Sequence, residues 1–191
     1  MLTSRTIGEE KHSKPAAVTK IVDFDGTIFF TEGCVSEASK DITGRRLTRE
    51  EVYSLPSTQR CEIFSWSDKK YAGLAVPNEQ MLEILKDGAD EHEIIVLTAR
   101  TVDSAKKTLW LLEKCNAPFD LLMVRRNDRK TELPKEKDGE WKAEIMKVVK
   151  RSCQSIEFYE DRIENIVRVK QQLGEDGISY FLVSREGIKR V

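Results

Sequence analysis

Two carboxylates one residue apart, Asp23 and Asp25, close an apolar run that starts at Val18. Acids at the end of a buried strand are costly unless something cationic joins them. Gly26 lets the backbone turn tightly there, and Thr27 adds a hydroxyl and an amide. An all-oxygen setting of this kind suits a hard divalent ion such as Mg²⁺. A second apolar run, Glu93 to Leu97, is followed by Thr98, Ala99 and Arg100, a hydroxyl and then a guanidinium. A further run, Ser155 to Tyr159, leads into Glu160, Asp161 and Arg162. Lys142 opens a helical pattern just before it. Taken singly, Thr98 to Arg100 reads as a helix cap and Glu160 to Arg162 as a solvated helix start. Gathered at successive strand ends, these acids, hydroxyl and cations suit a site for phosphate plus metal.

The elements that must hold them alternate in type. Short apolar runs at Val18 to Phe24, Glu93 to Leu97, Asp120 to Val124, Ser155 to Tyr159 and Ser179 to Val183 have the look of buried strands. Helical stripes lie between them. Asn78 can cap a helix bearing Met81, Leu82 and Leu85. Val102, Ala105, Leu109 and Leu112 form the next stripe, and Trp141, Ile145, Met146 and Val149 another. Ile163, Ile166, Val167 and Val169 lead to Leu173, with Gly174 as the stop. Such alternation predicts parallel strands joined by right-handed crossovers, hence a three-layer α/β sheet. Functional groups in such sheets sit beyond the carboxyl ends of the strands.

Two stretches break the alternation. Thr31 to Val76 is a long insertion whose Thr48 and Glu51 can form a capping box, which predicts a short helix. Its Trp66 and Tyr71 are read as packing within the insertion rather than lining a site or stacking on a base. Arg125 to Glu140 is a highly charged connection whose basic residues are diluted by five acids. Residues 1–16 are polar and are expected to form a mobile arm before a domain spanning 17–191.

Composition excludes several classes. The 191 residues suffice for one well-packed domain. With 32 basic and 33 acidic side chains the net charge is −1, which excludes a wholly basic nucleic-acid-coating protein but not a local basic patch. The apolar runs are far too short to span a bilayer, so no membrane partner is expected. Met1 to Lys14 does not read as a signal peptide. Cys34, Cys61, Cys115 and Cys153 are scattered, and with only His12 and His92 beside them they predict neither a zinc site nor a disulfide framework. A reducing compartment, cytoplasmic or nuclear, is the expectation.

In order along the chain, D-F-D-G-T, L-T-A-R, a lysine and Y-E-D-R resemble the four-motif signature of the haloacid dehalogenase (HAD) superfamily of phosphohydrolases. The resemblance covers roughly residues 18–184. It implies a HAD-like Rossmannoid three-layer sandwich, with a mainly parallel sheet and a small cap insertion at 31–76. It further implies an Mg²⁺-dependent phosphatase acting through an aspartyl phosphate. Asp23 matches the nucleophile and Asp25 the general acid/base. Thr98 matches the hydroxyl that holds the phosphoryl group, and Lys142 the charge-offsetting lysine, with Lys135 and Lys130 as alternatives. Asp23, the Asp25 carbonyl, Glu160 and Asp161 match the metal site, either of the last two being the direct ligand. Gly26, Thr27 and Ala99 belong to the substrate-binding turns.

A narrower resemblance is to the 3′-phosphatase domain of polynucleotide kinase-phosphatases and the HAD domains of RNA-repair proteins. There Arg100, Arg126 and Arg129 match arginines that grip substrate phosphates. It implies a nucleic-acid or nucleotide phosphate ester as partner, specifically a 3′-phosphate end. No kinase phosphate-binding loop is present. The alternatives are a small-molecule phosphatase acting on nucleotides or sugar phosphates, and a non-catalytic binding module that retains the fold.

Overall fold

The computed structural model describes residues 2–3, 18–125 and 138–191. Its main sheet has seven strands. β1 is Leu2–Thr3, β2 Val18–Val22, β5 Glu93–Thr101, β6 Leu121–Arg125, β7 Ser155–Glu160, β8 Ile178–Ser184 and β9 Gly187–Arg190, in the order β1-β6-β5-β2-β7-β8-β9. β2 lies parallel to β5 and β7, β5 to β6, and β7 to β8. Among the described strands of this sheet, only β1 and β9, at its edges, run antiparallel to their neighbours. Two residues of the expected mobile arm are thus held to the sheet at β6, and the rest of 1–16 lies outside the described residues.

Side chains alternate across the sheet, so neighbouring residues of β2 feed different cores. Val22 packs with Val96, Leu111, Leu112 and the Met81, Leu82 and Leu85 stripe. Ile21 packs on the other face with Ile95, Leu97, Met146, Ile166 and Val169. Helices α4 (Glu79–Lys86) and α5 (Ala105–Lys114) therefore cover one face. Helices α6 (Asp138–Val149) and α7 (Ile163–Leu173) cover the other, completing three layers. Each fully buried aliphatic side chain contributes about 1.5–3 kcal/mol. Asn78 caps α4 through the Met81 amide, and α7 ends at Gly174 with φ 70°, both as predicted.

The insertion leaves the core through a two-stranded ribbon, β3 (Phe29–Phe30) against β4 (Val76–Pro77). The single helix predicted there is three: α1 (Glu32–Thr43), α2 (Arg49–Tyr53) and α3 (Ser57–Trp66). α3 runs on through one π turn to Tyr71 and a 3₁₀ turn to Leu74. The capping box forms, with Thr48 N–H donating to Glu51 Oε2 at 2.7 Å and Glu51 N–H to Thr48 Oγ1 at 3.2 Å. α3 buries only Ile63, so it carries no apolar stripe by which the sequence could reveal it. The cap has its own core of Val35, Ala38, Leu47, Val52 and Ile63.

Candidate active site

Register alone brings the strand-end groups together. Val22 pairs with Val96 on one side and Tyr159 on the other, which sets Asp23 beside Leu97 and Glu160. The Asp23 amide donates to the Tyr159 carbonyl at 3.0 Å. Thr98 follows one residue on, but β5 does not stop at Leu97 as predicted. It continues to Thr101 with an irregularity in its pairing with β6 between Thr98 and Thr101, which turns Arg100 toward Asp25.

Lys142 sits on the buried stripe of α6, where Asp138, Gly139, Lys142, Ala143 and Met146 recur at helical spacing. The stripe is polar at its site end and apolar beyond. Lys142 Nζ lies 2.8 Å from Asp23 Oδ1 and 2.6 Å from Glu160 Oε2. Its side chain is 1% exposed, and that of Glu160 is 0% exposed. Gly139 permits this placement, because a Cβ there would lie 2.9 Å from Arg168 Cβ and 3.2 Å from Asn165 Cα of α7. Lys130 and Lys135, the alternatives to Lys142, lie outside the described residues, as do Arg126 and Arg129.

Glu160 has both oxygens engaged. Oε2 takes Lys142, while Oε1 accepts from Asn165 Nδ2 at 3.0 Å and from the Arg162 amide at 3.3 Å. Asp161 differs, because its Oδ1 is buried with no hydrogen-bond partner among the described residues. Gly26 stands against it with φ 80°, and a Cβ there would fall 2.1 Å from Asp161 Oδ2. Only glycine satisfies both the backbone and the space. Thr27 Oγ1 is likewise buried without a partner.

Asp25 faces the cap. Its Oδ1 accepts from Thr31 at 2.8 Å and from Arg100 Nη2 at 2.9 Å, and its Oδ2 from Arg100 Nε at 2.8 Å. Arg100 rests on the Phe24 ring, 4.6 Å from its centroid, and its Nη1 lies 2.8 Å from Asp68 Oδ1 of the cap. Asp68 also accepts from Ser104, so one cap acid joins two core residues. Arg49 of α2 approaches Asp25 Oδ2 at 3.9 Å. Beyond Asp23, Asp138 accepts from Arg125, and Arg162 Nη1 stands 3.9 Å from it. The cleft between these groups holds about 30 Å³ of free space, on the scale of one or two waters, so the cap stands closed.

The electrostatics divide the acids. Burial pushes Asp23 up to about 7, with repulsion from Glu160 and Asp25 only partly offset by Lys142. Burial and the charges of Glu160 and Asp23 push Asp161 up to about 9. Burial opposes ionisation of Asp25 as well, but Arg100, Arg49 and Thr31 outweigh it and hold that carboxyl well below the usual carboxylate range. Lys142 is buried, yet Asp23 and Glu160 keep it charged. Asp23, Glu160 and Asp161 each offer an oxygen, all within 4.8 Å of one another. Three crowded acids, two of them with raised pKa values, and an Asp161 oxygen without a partner among the described residues fit a divalent cation.

The structure thus brings Asp23, Asp25, Gly26, Thr98, Ala99, Arg100, Lys142, Glu160 and Asp161 to one cleft, whereas Thr27 is buried beside it with its carbonyl accepting from Asn78 Nδ2. Trp66 and Tyr71 do not line it. Their Nε1 and hydroxyl donate to Asp41 of α1, within the cap. Sequence reasoning missed Arg49, Tyr53 and Asp68, which only cap closure brings to the site. It also missed Asn165, which follows Asp161 by one helical turn, a spacing that could have singled it out.

No family model matches the chain, and no curated protein matches it. Solved structures do. A HAD-superfamily hydrolase of subfamily IA, variant 1, from Geobacter sulfurreducens is 17% identical, with a TM-score of 0.54 and 88% of each chain covered. A haloacid dehalogenase-like hydrolase from Streptococcus pneumoniae is 14% identical, with a TM-score of 0.59 and 89% of each chain covered. A chain of the Pnkp1/Rnl/Hen1 RNA repair complex is 17% identical, with a TM-score of 0.56. That alignment covers 97% of this chain and 48% of the other, about half its length. The chain has the HAD fold.

Proposed function

We propose that the protein hydrolyses phosphomonoesters through a phosphorylated Asp23. The observation that carries this reading is the Asp23–Lys142–Glu160 chain beside Asp161 at the end of the central strand, with hydrogen bonds of 2.8 and 2.6 Å. Asp23 Oδ2, the oxygen not paired with Lys142, attacks phosphorus, and the bond from phosphorus to the leaving oxygen breaks. Asp25 gives that oxygen its proton, then takes one from the water that cleaves the aspartyl phosphate and frees inorganic phosphate. Arg100 holds Asp25 in its ionised form in the closed cleft. Substrate phosphate drawing Arg100 away would let Asp25 carry a proton. Thr98 and the turn amides after Asp25 hold the transferring oxygens, and Lys142 offsets charge on nucleophile and phosphoryl group.

Asp23, Asp161 and the Asp25 carbonyl would hold Mg²⁺, which on binding supplies neutralisation of charge at the phosphoryl oxygens. The free Asp161 oxygen favours Asp161 as the direct ligand. Glu160, saturated by Lys142, Asn165 and Arg162, positions the lysine instead.

The substrate reading is a 3′-phosphate end of nucleic acid. Arg100, Arg125 and Arg162 around the cleft support it, as does similarity to a chain of an RNA repair complex. The test is phosphate release from a 3′-phosphorylated oligonucleotide with Mg²⁺ across a salt series. Contacts to several backbone phosphates make kcat/KM fall steeply with salt. A flat salt response with faster release from nucleotides or sugar phosphates would favour the small-molecule alternative.

A further inference from the structure

The cations around the cleft fall into two groups. Lys142 and Arg100 are spent on close partners at 2.6–2.9 Å. Among the described residues Arg49 and Arg162 have no acidic partner closer than 3.9 Å. Arg49 reaches Asp25 only at 3.9 Å, and the Asp25 oxygens are already filled by Arg100 and Thr31. Asp161 adds attraction at longer range. Arg49 Nε is buried with no hydrogen-bond partner among the described residues. Arg162 has two ion pairs, to Asp138 and Glu164, both at 3.9 Å. Both guanidinium groups lie near Tyr53: Arg49 precedes it by one turn of α2, and Arg162 Cζ stands 5.7 Å from its ring centroid. All three line the cleft.

A buried guanidinium N–H without an acceptor is destabilising unless a ligand supplies one. Planar guanidinium forks match phosphate and carboxylate. Position tells which anion. Lys142 and Thr98 stand by Asp23, where the transferring phosphoryl group sits. Arg49 stands at Asp25, the group that protonates the leaving oxygen, and it comes from the cap. It therefore meets the leaving group rather than the phosphoryl group.

We infer that Arg49 and Arg162, which line the cleft with Tyr53, form a second anion subsite on the leaving-group side. The preferred substrates are then phosphomonoesters that carry a second anionic group. A sugar bisphosphate and a terminal nucleotide with a phosphate on each side share this chemistry. The inference rests on the phosphomonoesterase reading for its naming of the leaving-group side. The cap must swing about the β3–β4 ribbon to admit such a molecule.

The test uses the Asp23→Asn protein with Mg²⁺, which holds a substrate without turning it over. Calorimetry gives the Kd for adenosine 3′,5′-bisphosphate against adenosine 3′-phosphate, and for glucose 1,6-bisphosphate against glucose 1-phosphate. The bisphosphate of at least one pair should bind about tenfold tighter or better. Which pair does so tells the nucleotide source from the sugar source. Arg49→Ala on the same background should reduce that ratio to about threefold or less. Arg49→Gln, which keeps a long polar side chain, and Arg162→Ala, outside the cap, report the same ratio should Arg49→Ala melt early. Equal affinities within each pair, or a preference that survives both arginine substitutions, would overturn the subsite. Phosphate release by the unsubstituted protein is scored separately. A bisphosphate preference without release keeps the subsite and removes the phosphatase reading, whereas release without preference does the reverse.

Discussion

The sheet edge and the cap solve the same problem, holding charge away from water, in opposite ways. At the sheet edge Asp23, Lys142 and Glu160 are locked between strands and a helix, with side-chain exposures of 8%, 1% and 0%. Their geometry follows from register and cannot shift without breaking the core. The cap has a core of five buried residues and joins the rest through a two-stranded ribbon. It reaches the site by ion pairs, Asp68 with Arg100 and Arg49 near Asp25. A half fixed by strand register thus carries a half joined to it by a narrow ribbon and a few ion pairs.

Substitutions that strike the half fixed by register should cost most. Lys142→Met leaves two buried acids without their cation. Phosphate release should fall by ~10²–10³-fold, and stability by about 3–5 kcal/mol in a urea titration. A variant with near-normal turnover would remove Lys142 from the mechanism.

Metal should act on the same half. Asp23 and Asp161 have folded values raised from 3.8 to about 7 and about 9. Folding then favours their protonated forms, so their contribution is fully present below pH 3.8 and is lost as pH rises through about 7 and 9. The metal-free protein should therefore lose stability from weakly acidic to alkaline pH. A bound cation reverses that loss, so the rise in Tm on adding Mg²⁺ should be larger at pH 8 than at pH 5. At a hundredfold excess over Kd the gain is about 2.7 kcal/mol. Asp161→Asn should remove most of it, and Glu160→Gln should instead lower stability without metal. A Tm gain independent of pH would mean that the cation binds elsewhere.

The cap should give smaller effects. Asp68→Asn weakens its tie to Arg100 and Ser104, so hydrogen exchange in α3 should quicken while the sheet stays protected. The shift in the closed state is ~1–3 kcal/mol, read as a change in KM larger than that in kcat. Trp66→Phe loses one bond to Asp41 inside the cap and should leave phosphate release unaltered. A large loss there would place Trp66 in substrate binding after all.

The same contrast explains what was legible in the sequence. Each strand-end group follows directly on an apolar run, so a linear reading could find Asp23, Thr98, Glu160 and Asp161 and assign them to one edge. Lys142 could be preferred over Lys130 and Lys135 because it lies on a patterned helix, and it is the one the structure sets between Asp23 and Glu160. Periodicity failed at the margins. Val102 falls in a 3₁₀ turn ahead of α5 and is 54% exposed, out of phase with the stripe it was assigned to. Ile163 and Val167 flank the buried Ile166 and Val169 on α7 and stay largely exposed. Arg49 was hidden for a different reason. It sits inside a recognised capping box, but its approach to Asp25 depends on how the whole cap folds down.

The most direct test of a phosphorylated Asp23 is mass spectrometry of the protein acid-quenched during turnover of p-nitrophenyl phosphate with Mg²⁺. The account predicts a phosphate on the peptide containing Asp23, absent in Asp23→Asn, with release falling by ~10⁴-fold or more in that variant. Label on another residue, or turnover that survives Asp23→Asn, would contradict it.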